Sequence, residues 1–369
     1  MKSRILSILL VVALLVTVAV FSVQAETTGL SDDQLTAAET LNAVHTTAEA
    51  MDFSAAPTSC PVCGDGVEWV AITDSSADNL ADDSYNGATH FYLAESITHQ
   101  VLANTAGTFC LHLNGNDITY TASNKAAILA GKSGGVAMTL NVMGQGEVIG
   151  KGMGVASGGK DWKAGGALQV WGTTVNLFGG TYMCHAERGQ PVISTFVAAN
   201  SVVNMYEGAT ISGANKTASN DVTSCVYILG AKHSFNMYGG LITGGQATKG
   251  GNLQLLAGNA YIEGGIIEGD VYVAEGANLT LAKNAVIEKT NGGLDLTSGA
   301  VVTLKDLTAE ANINVTVNEN TDFTNALSDE QAAIALTVVK GEGIEVLQNE
   351  TTKALYAVSA SGDDEGDDD

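Results

Sequence analysis

One phrase recurs through the middle of the chain and limits what the chain can fold into. It reads Val175-Asn176-Leu177-Phe178-Gly179-Gly180-Thr181, then Val203-Asn204-Met205-Tyr206-Glu207-Gly208-Ala209-Thr210-Ile211-Ser212-Gly213. It returns as Phe235-Asn236-Met237-Tyr238-Gly239-Gly240-Leu241-Ile242-Thr243-Gly244 and as Tyr261-Ile262-Glu263-Gly264-Gly265-Ile266-Ile267-Glu268-Gly269. An earlier copy is Leu140-Asn141-Val142-Met143-Gly144, and weaker ones are Leu279-Thr280-Leu281 and Val302-Thr303-Leu304. Each full copy is a short alternating strand, a glycine corner and a second short strand. Copies recur roughly every 19 to 35 residues, a spacing found in repeat architectures. A strand this short cannot bury its apolar face alone. Laid on the equivalent strand of the next copy, it contributes to one continuous inner core. Alternation, as in Leu168-Gln169-Val170 or Tyr272-Val273-Ala274, sends every second side chain inside.

The uneven spacing chooses among repeat folds. A propeller needs an even period of about 40 residues, whereas a coil tolerates loops of different length on one side. The expected fold is all-β: a right-handed parallel β-helix (solenoid) with a short N-terminal helix and small capping segments. A β-sandwich with glycine-rich hairpins is the alternative. Asn141, Asn176, Asn204 and Asn236 recur at matching places, where an amide can bond the coil above.

The two ends read differently from the middle. Residues 1–25 have the form of a secretory signal peptide: Lys2 and Arg4, an apolar run from Ile5 to Phe21, then Val23-Gln24-Ala25. This predicts a secreted or cell-surface protein with no membrane span after cleavage, an uncleaved anchor being the rival. Removing that segment moves the formal charge from −24 to −26 and leaves Arg188 as the only arginine. So acidic a surface repels nucleic-acid phosphates and anionic lipids, which excludes nucleic acid as a partner. Residues 26–57 form a leader with one expected helix, opened by Ser31 and Gln34 at capping-box spacing. Residues 58–119 form a CxxC-bearing cap, and residues 120–320 the β-helix, with long loops at 154–166, 184–191 and 213–224. Residues 321–360 form a closing β unit. There Ser328 and Gln331 again have capping-box spacing, and strands are expected at 336–339, 344–347 and 354–358. Residues 361–369 are a solvated acidic tail.

Five cysteines carry the most specific chemistry. Cys60 and Cys63 have the two-residue gap that lets both thiolates hold one zinc ion; Pro61 and Gly64 favour the tight turn this needs. Further ligands would come from His90, His112 or Cys110, and Cys60, Cys63 and His90 are the candidate metal set for a structural zinc. A Cys60–Cys63 or Cys63–Cys110 disulfide and free thiols are the rival states. A redox-enzyme reading of the CxxC lacks its βαβ context. Cys184 and His185 are adjacent, so on a strand they point to opposite faces and cannot share a proton. Cys184 and Cys225 read as core residues.

The order of motifs around these cysteines resembles a known group. Ser59-Cys60-Pro61-Val62-Cys63-Gly64 is followed by Val67-Glu68-Trp69-Val70-Ala71-Ile72, then His90-Phe91-Tyr92-Leu93-Ala94, then Cys110-Leu111-His112-Leu113-Asn114-Gly115. This is similar to the entry segment of secreted and surface β-helix proteins of gut-type Gram-positive bacteria, in the pectate-lyase-like superfold. In that group a CPxCG knuckle precedes an "HYYLA" strand, a "CLDLNG" strand and "VNLYGGTISG" turns. The likeness covers about residues 58–270 and departs at His112, where an acidic residue is usual. It implies an adhesin-like or cell-envelope module, with glycans or a host or envelope surface as partner.

Many β-helices cleave acidic polysaccharides, so a pectin-degrading lyase or hydrolase is the rival function. A hydrolase needs two carboxylates a few ångströms apart. Asp161, Asp221, Asp270, Asp295 and Asp306 are scattered in the sequence. An eliminating enzyme needs a base beside calcium-binding carboxylates, and Arg188 has only Glu187 nearby. The sequence therefore favours a non-catalytic binding module. Trp171, Tyr206 and Tyr238, expected to be exposed, are its candidate ligand-binding residues, because aromatic faces pack on sugar rings.

Overall fold

The computed structural model describes residues 56–121, 125–151, 166–185, 190–196, 199–213, 224–247, 249–288, 292–317 and 320–360. The expected signal segment, leader helix and acidic tail, and most of the three long loops, lie outside the described residues. Nearly all strands belong to two parallel sheets, one of ten strands and one of seventeen. The chain winds as a parallel β-helix with three strands per turn. The coil Thr174–Leu177, Gly180–Cys184, Ile193–Phe196 shows the pattern. Thr174–Leu177 pairs with Val202–Met205 of the next coil, Gly180–Cys184 with Ala209–Ser212, and Ile193–Phe196 with Val226–Ile228. The first strand of each coil joins the ten-stranded sheet. The other two lie in the seventeen-stranded sheet, which becomes continuous where Asn312–Thr316 pairs with both of its faces.

Alternation decides what goes inside. Val175, Leu177, Val203, Met205, Phe235 and Met237 face the axis and are fully buried. Their registers align Val175 with Val203 and Phe235, and Leu177 with Met205 and Met237, so like layers stack along the coil. Cys184 and Cys225 are buried in this same core, while His185 is exposed. Tyr182 is also wholly buried and donates its hydroxyl to the Gly179 carbonyl at 3.0 Å, which satisfies the polar end of an otherwise apolar side chain.

Corners need glycine where the backbone turns left-handed against another coil. Gly131 has φ +90°, and a Cβ there would overlap the Trp171 carbonyl of the next coil. Gly131→Ala is expected to cost more than about 2 kcal/mol, because the left-handed conformation alone costs about 1–2 kcal/mol and the neighbouring backbone cannot retreat. Chemical denaturation checks this; a wild-type midpoint would show that the corner relaxes freely.

Two boundaries differ from the sequence reading. The coils begin well before residue 120: Val70–Ile72 already pairs in parallel with His90–Leu93, and His90–Leu93 with Gly107–His112. The closing unit is not wholly β. Ser328 does cap a helix, accepting the Gln331 N–H, but that helix runs Asp329–Val338 and takes in most of the segment expected as a strand. Ala332, Ala335 and Val338 seal the open end of the core, so burial overrides the β-branched run at 337–339. Among the described residues no helix is long and apolar enough to cross a membrane.

Candidate metal centre

The knuckle is a short antiparallel hairpin, with Ser59 opposite Asp65 and Cys60 opposite Gly64. Gly64 turns at φ +89°, a conformation few other residues accept. The hairpin lies outside the coil. Cys60 and Val62 pack with Cys110, Met143, Phe178 and Tyr206 in a cluster separate from the main core, bordered by Val67, Trp69 and Tyr238. Cys110 belongs to the strand Gly107–His112 and stands in register with His90 of the preceding coil. The coil register thus brings a cysteine and a histidine side by side on an outward-facing position, and the knuckle lays two more cysteines over them.

Ligand atoms of Cys60, Cys63, His90 and Cys110 all lie within 4.8 Å of one another. The Cys60 and Cys110 sulfurs are 3.6 Å apart, and those of Cys63 and Cys110 are 3.7 Å apart. Two thiolates at about 2.3 Å from a tetrahedral zinc lie about 3.8 Å apart by simple geometry. The sulfurs therefore already sit near the edge length of a tetrahedral site, and no disulfide joins Cys60, Cys63 or Cys110. His90 places Nδ1 3.0 Å from the Thr89 hydroxyl, while its buried Nε2 has no hydrogen-bond partner. A histidine held through one nitrogen with the other left open has the arrangement of a metal ligand with its outer support. This cluster could hold a metal ion.

The thiols share protons unequally. Cys63 is lowered to about 5, first by the hydrogen bond from Cys110 and then by His90, against the opposing effect of burial. Cys60 is lowered to about 7 by Cys110, with the backbone N–H groups of Cys63 and Val62 adding to it. Cys110 is pushed up, first by its hydrogen bonds with Cys60 and Cys63 and then by burial. A cation would replace that shared proton and neutralise the sulfurs together, since metal ligands must be deprotonated. Trp69 shields the cluster, meeting His90 edge-on at 5.3 Å and His112 at 5.9 Å.

The structure brings the expected trio Cys60, Cys63 and His90 together and adds Cys110 as the fourth member. His112 also meets Trp69 edge-on but is not part of the set. Cys110 was one of several candidates in the sequence, and only its register with His90 singles it out.

The aromatic candidates are arranged otherwise than expected. Tyr206 is 5% exposed, its ring stacked between Phe178 at 4.5 Å and Tyr238 at 5.3 Å. Both of its faces are covered, so it cannot offer one to a sugar. Tyr238 is half-buried and leads on to Tyr261, 6.1 Å away. Trp171 is half-buried on the other sheet, so the three residues form no common surface. Beside Tyr261 lies a buried carboxylate that no local pattern marks: Glu263 accepts from the Tyr261 hydroxyl at 2.6 Å and pairs with Lys283 at 2.7 Å. No family model, no curated protein and no solved structure matches this chain.

Proposed function

We propose that this protein is a non-catalytic, exported β-helix module, adhesin-like in role, whose N-terminal end is clamped by a structural zinc ion. The observation that carries this reading is the four-membered Cys60, Cys63, His90, Cys110 cluster. Three sulfurs and one imidazole suit zinc. Four protein ligands leave no open position for water or substrate, and closed sites of this kind hold structure together. The solenoid then supplies a long regular surface for a glycan or a host or envelope partner, with Tyr238 and Tyr261 as the aromatic rings of that face.

One observation favours the enzyme reading. Asp270 is raised by burial and by the nearby charge of Asp295 on the next coil, and a raised acid beside a second carboxylate is what glycoside hydrolysis uses. Against it, Asp270 accepts backbone N–H groups of Gly251 and Gly250, which gives it a corner-capping role. Purified protein separates the readings. Metal analysis is expected to find one zinc per chain, and a glycan array with uronate polymers to show retention without shortening. Polymer cleavage that disappears in Asp270→Asn would replace the adhesin reading with the enzyme.

A further inference from the structure

The amides of Asn141, Asn176, Asn204 and Asn236 occupy one register position on successive strands of the ten-stranded sheet. Asn236 donates Nδ2–H to Asn204 Oδ1 at 2.8 Å, Asn204 to Asn176 at 2.7 Å, and Asn176 to Asn141 at 2.7 Å. Asn141 then donates to the sulfur of Cys110 at 3.5 Å. Cys110 shares that register position with Asn141, so the ladder of amides runs straight into the candidate metal centre. Asn141, Asn176 and Asn204 are all at most 2% exposed. Every amide in the row donates in the same direction, towards the sulfur.

We infer that this asparagine ladder is the outer support of the metal centre: Asn141 is a positioning residue that holds Cys110 as a thiolate ligand, and Asn176, Asn204 and Asn236 act through it. The inference rests on the metal reading above. The chemistry runs from the sulfur outward. A metal-bound thiolate has no proton to give and can only accept. It therefore fixes Asn141 with Nδ2 towards sulfur and leaves Oδ1 for the next coil. Asn176 must answer that oxygen with its own Nδ2, and the same constraint passes to Asn204 and Asn236. One sulfur thus sets the orientation of amides on four coils. In return, amide dipoles aligned head to tail present their positive ends to the thiolate, as the first N–H groups of a helix do for an anion. Buried from water, such a chain of hydrogen bonds polarises itself and strengthens each member. Coil-to-coil cohesion alone would not require the row to end on a ligand.

Cobalt(II) is the probe, because its thiolate charge-transfer band reports electron density at sulfur. Affinity is read by competition with a chelator. Asn141→Asp keeps the shape but turns an acceptor towards the thiolate. It is expected to weaken binding by about 10–100-fold, the usual cost of altering an outer-shell partner, and to move the band to lower energy. Asn176→Ala, which does not touch sulfur, is expected to move both in the same direction by less. Asn278→Ala is the control: its amide donates to Asn259 at 3.1 Å on the same sheet but outside the row, and both readings should stay at wild type. Wild-type protein that takes up no cobalt overturns the metal reading. Wild-type protein that binds cobalt, with Asn141→Asp equal to it in affinity and band, overturns the ladder inference alone. Weakened affinity with an unmoved band means a purely structural role and also overturns it. Should Asn141→Asp not fold, the band of Asn176→Ala decides on the same terms.

Discussion

Cys110→Ser is expected to abolish stoichiometric metal binding and to free the knuckle while the coils stay folded. Serine matches cysteine in size, so the buried position should accept it, but its hydroxyl stays protonated and is a poor zinc ligand. Altering an outer partner of a metal site already costs about 10–100-fold in affinity; losing one of four ligands should cost more than about 100-fold. The consequence should stay local. The outer cluster around Cys60 is separate from the axial core, and the knuckle hairpin is only two residues long on each side. A hairpin that short is marginal by itself. Amide exchange should therefore speed up across residues 59–69 in Cys110→Ser, and in wild-type protein treated with a chelator. The strand Ser234–Met237 should keep its protection. Unchanged exchange at 59–69 after metal removal would show that apolar packing, not the ion, holds the knuckle down.

Phe235→Ala should be the most destabilising single change in the core, by about 3–5 kcal/mol, the range for deleting a buried ring. Phe235 is wholly buried, with Val203 and Ala260 as its neighbours in the stack. Neither is large enough to fill the space, so most of the cavity should persist. Its position along the axis gives a second signature. Each coil touches only the coils on either side, so a weak interface in mid-array lowers the coupling between the two halves. Urea unfolding followed by fluorescence and circular dichroism should show a lower midpoint and separated transitions for the two probes. A single transition with less than about 1 kcal/mol of loss would mean that the coils close over the gap, contrary to the tight stacking described here.

Most of the architecture could be read from short-range pattern. Alternation at Val175–Leu177 and Phe235–Met237 named the inward residues, and the recurring Asn176, Asn204 and Asn236 marked a ladder. Ser328 marked a helix start. The failures share a cause. Val70–Ile72 and His90–Leu93 lack the glycine phrase of later coils, so nothing local identified them as parallel strands. Residues 337–339 have strand-like composition, but the helix through Val338 is stabilised by covering the end of the core. Tyr206 alternates like an exposed residue and is instead covered by Phe178, Tyr238 and the knuckle.

Which side chain points inward, where the chain turns, and which residue types could bind a metal were all determined by the sequence, because each depends on neighbours a few residues away. Tertiary structure decided which of His90, His112 and Cys110 joins the knuckle, and that an asparagine row ends on its sulfur. Cys60 and Cys110 are 50 residues apart, and Asn141 and Cys110 are 31 apart. Contacts over such distances depend on the register between coils. That register is set by the packing of the whole stack and by the lengths of the loops between strands, which no short window of sequence contains.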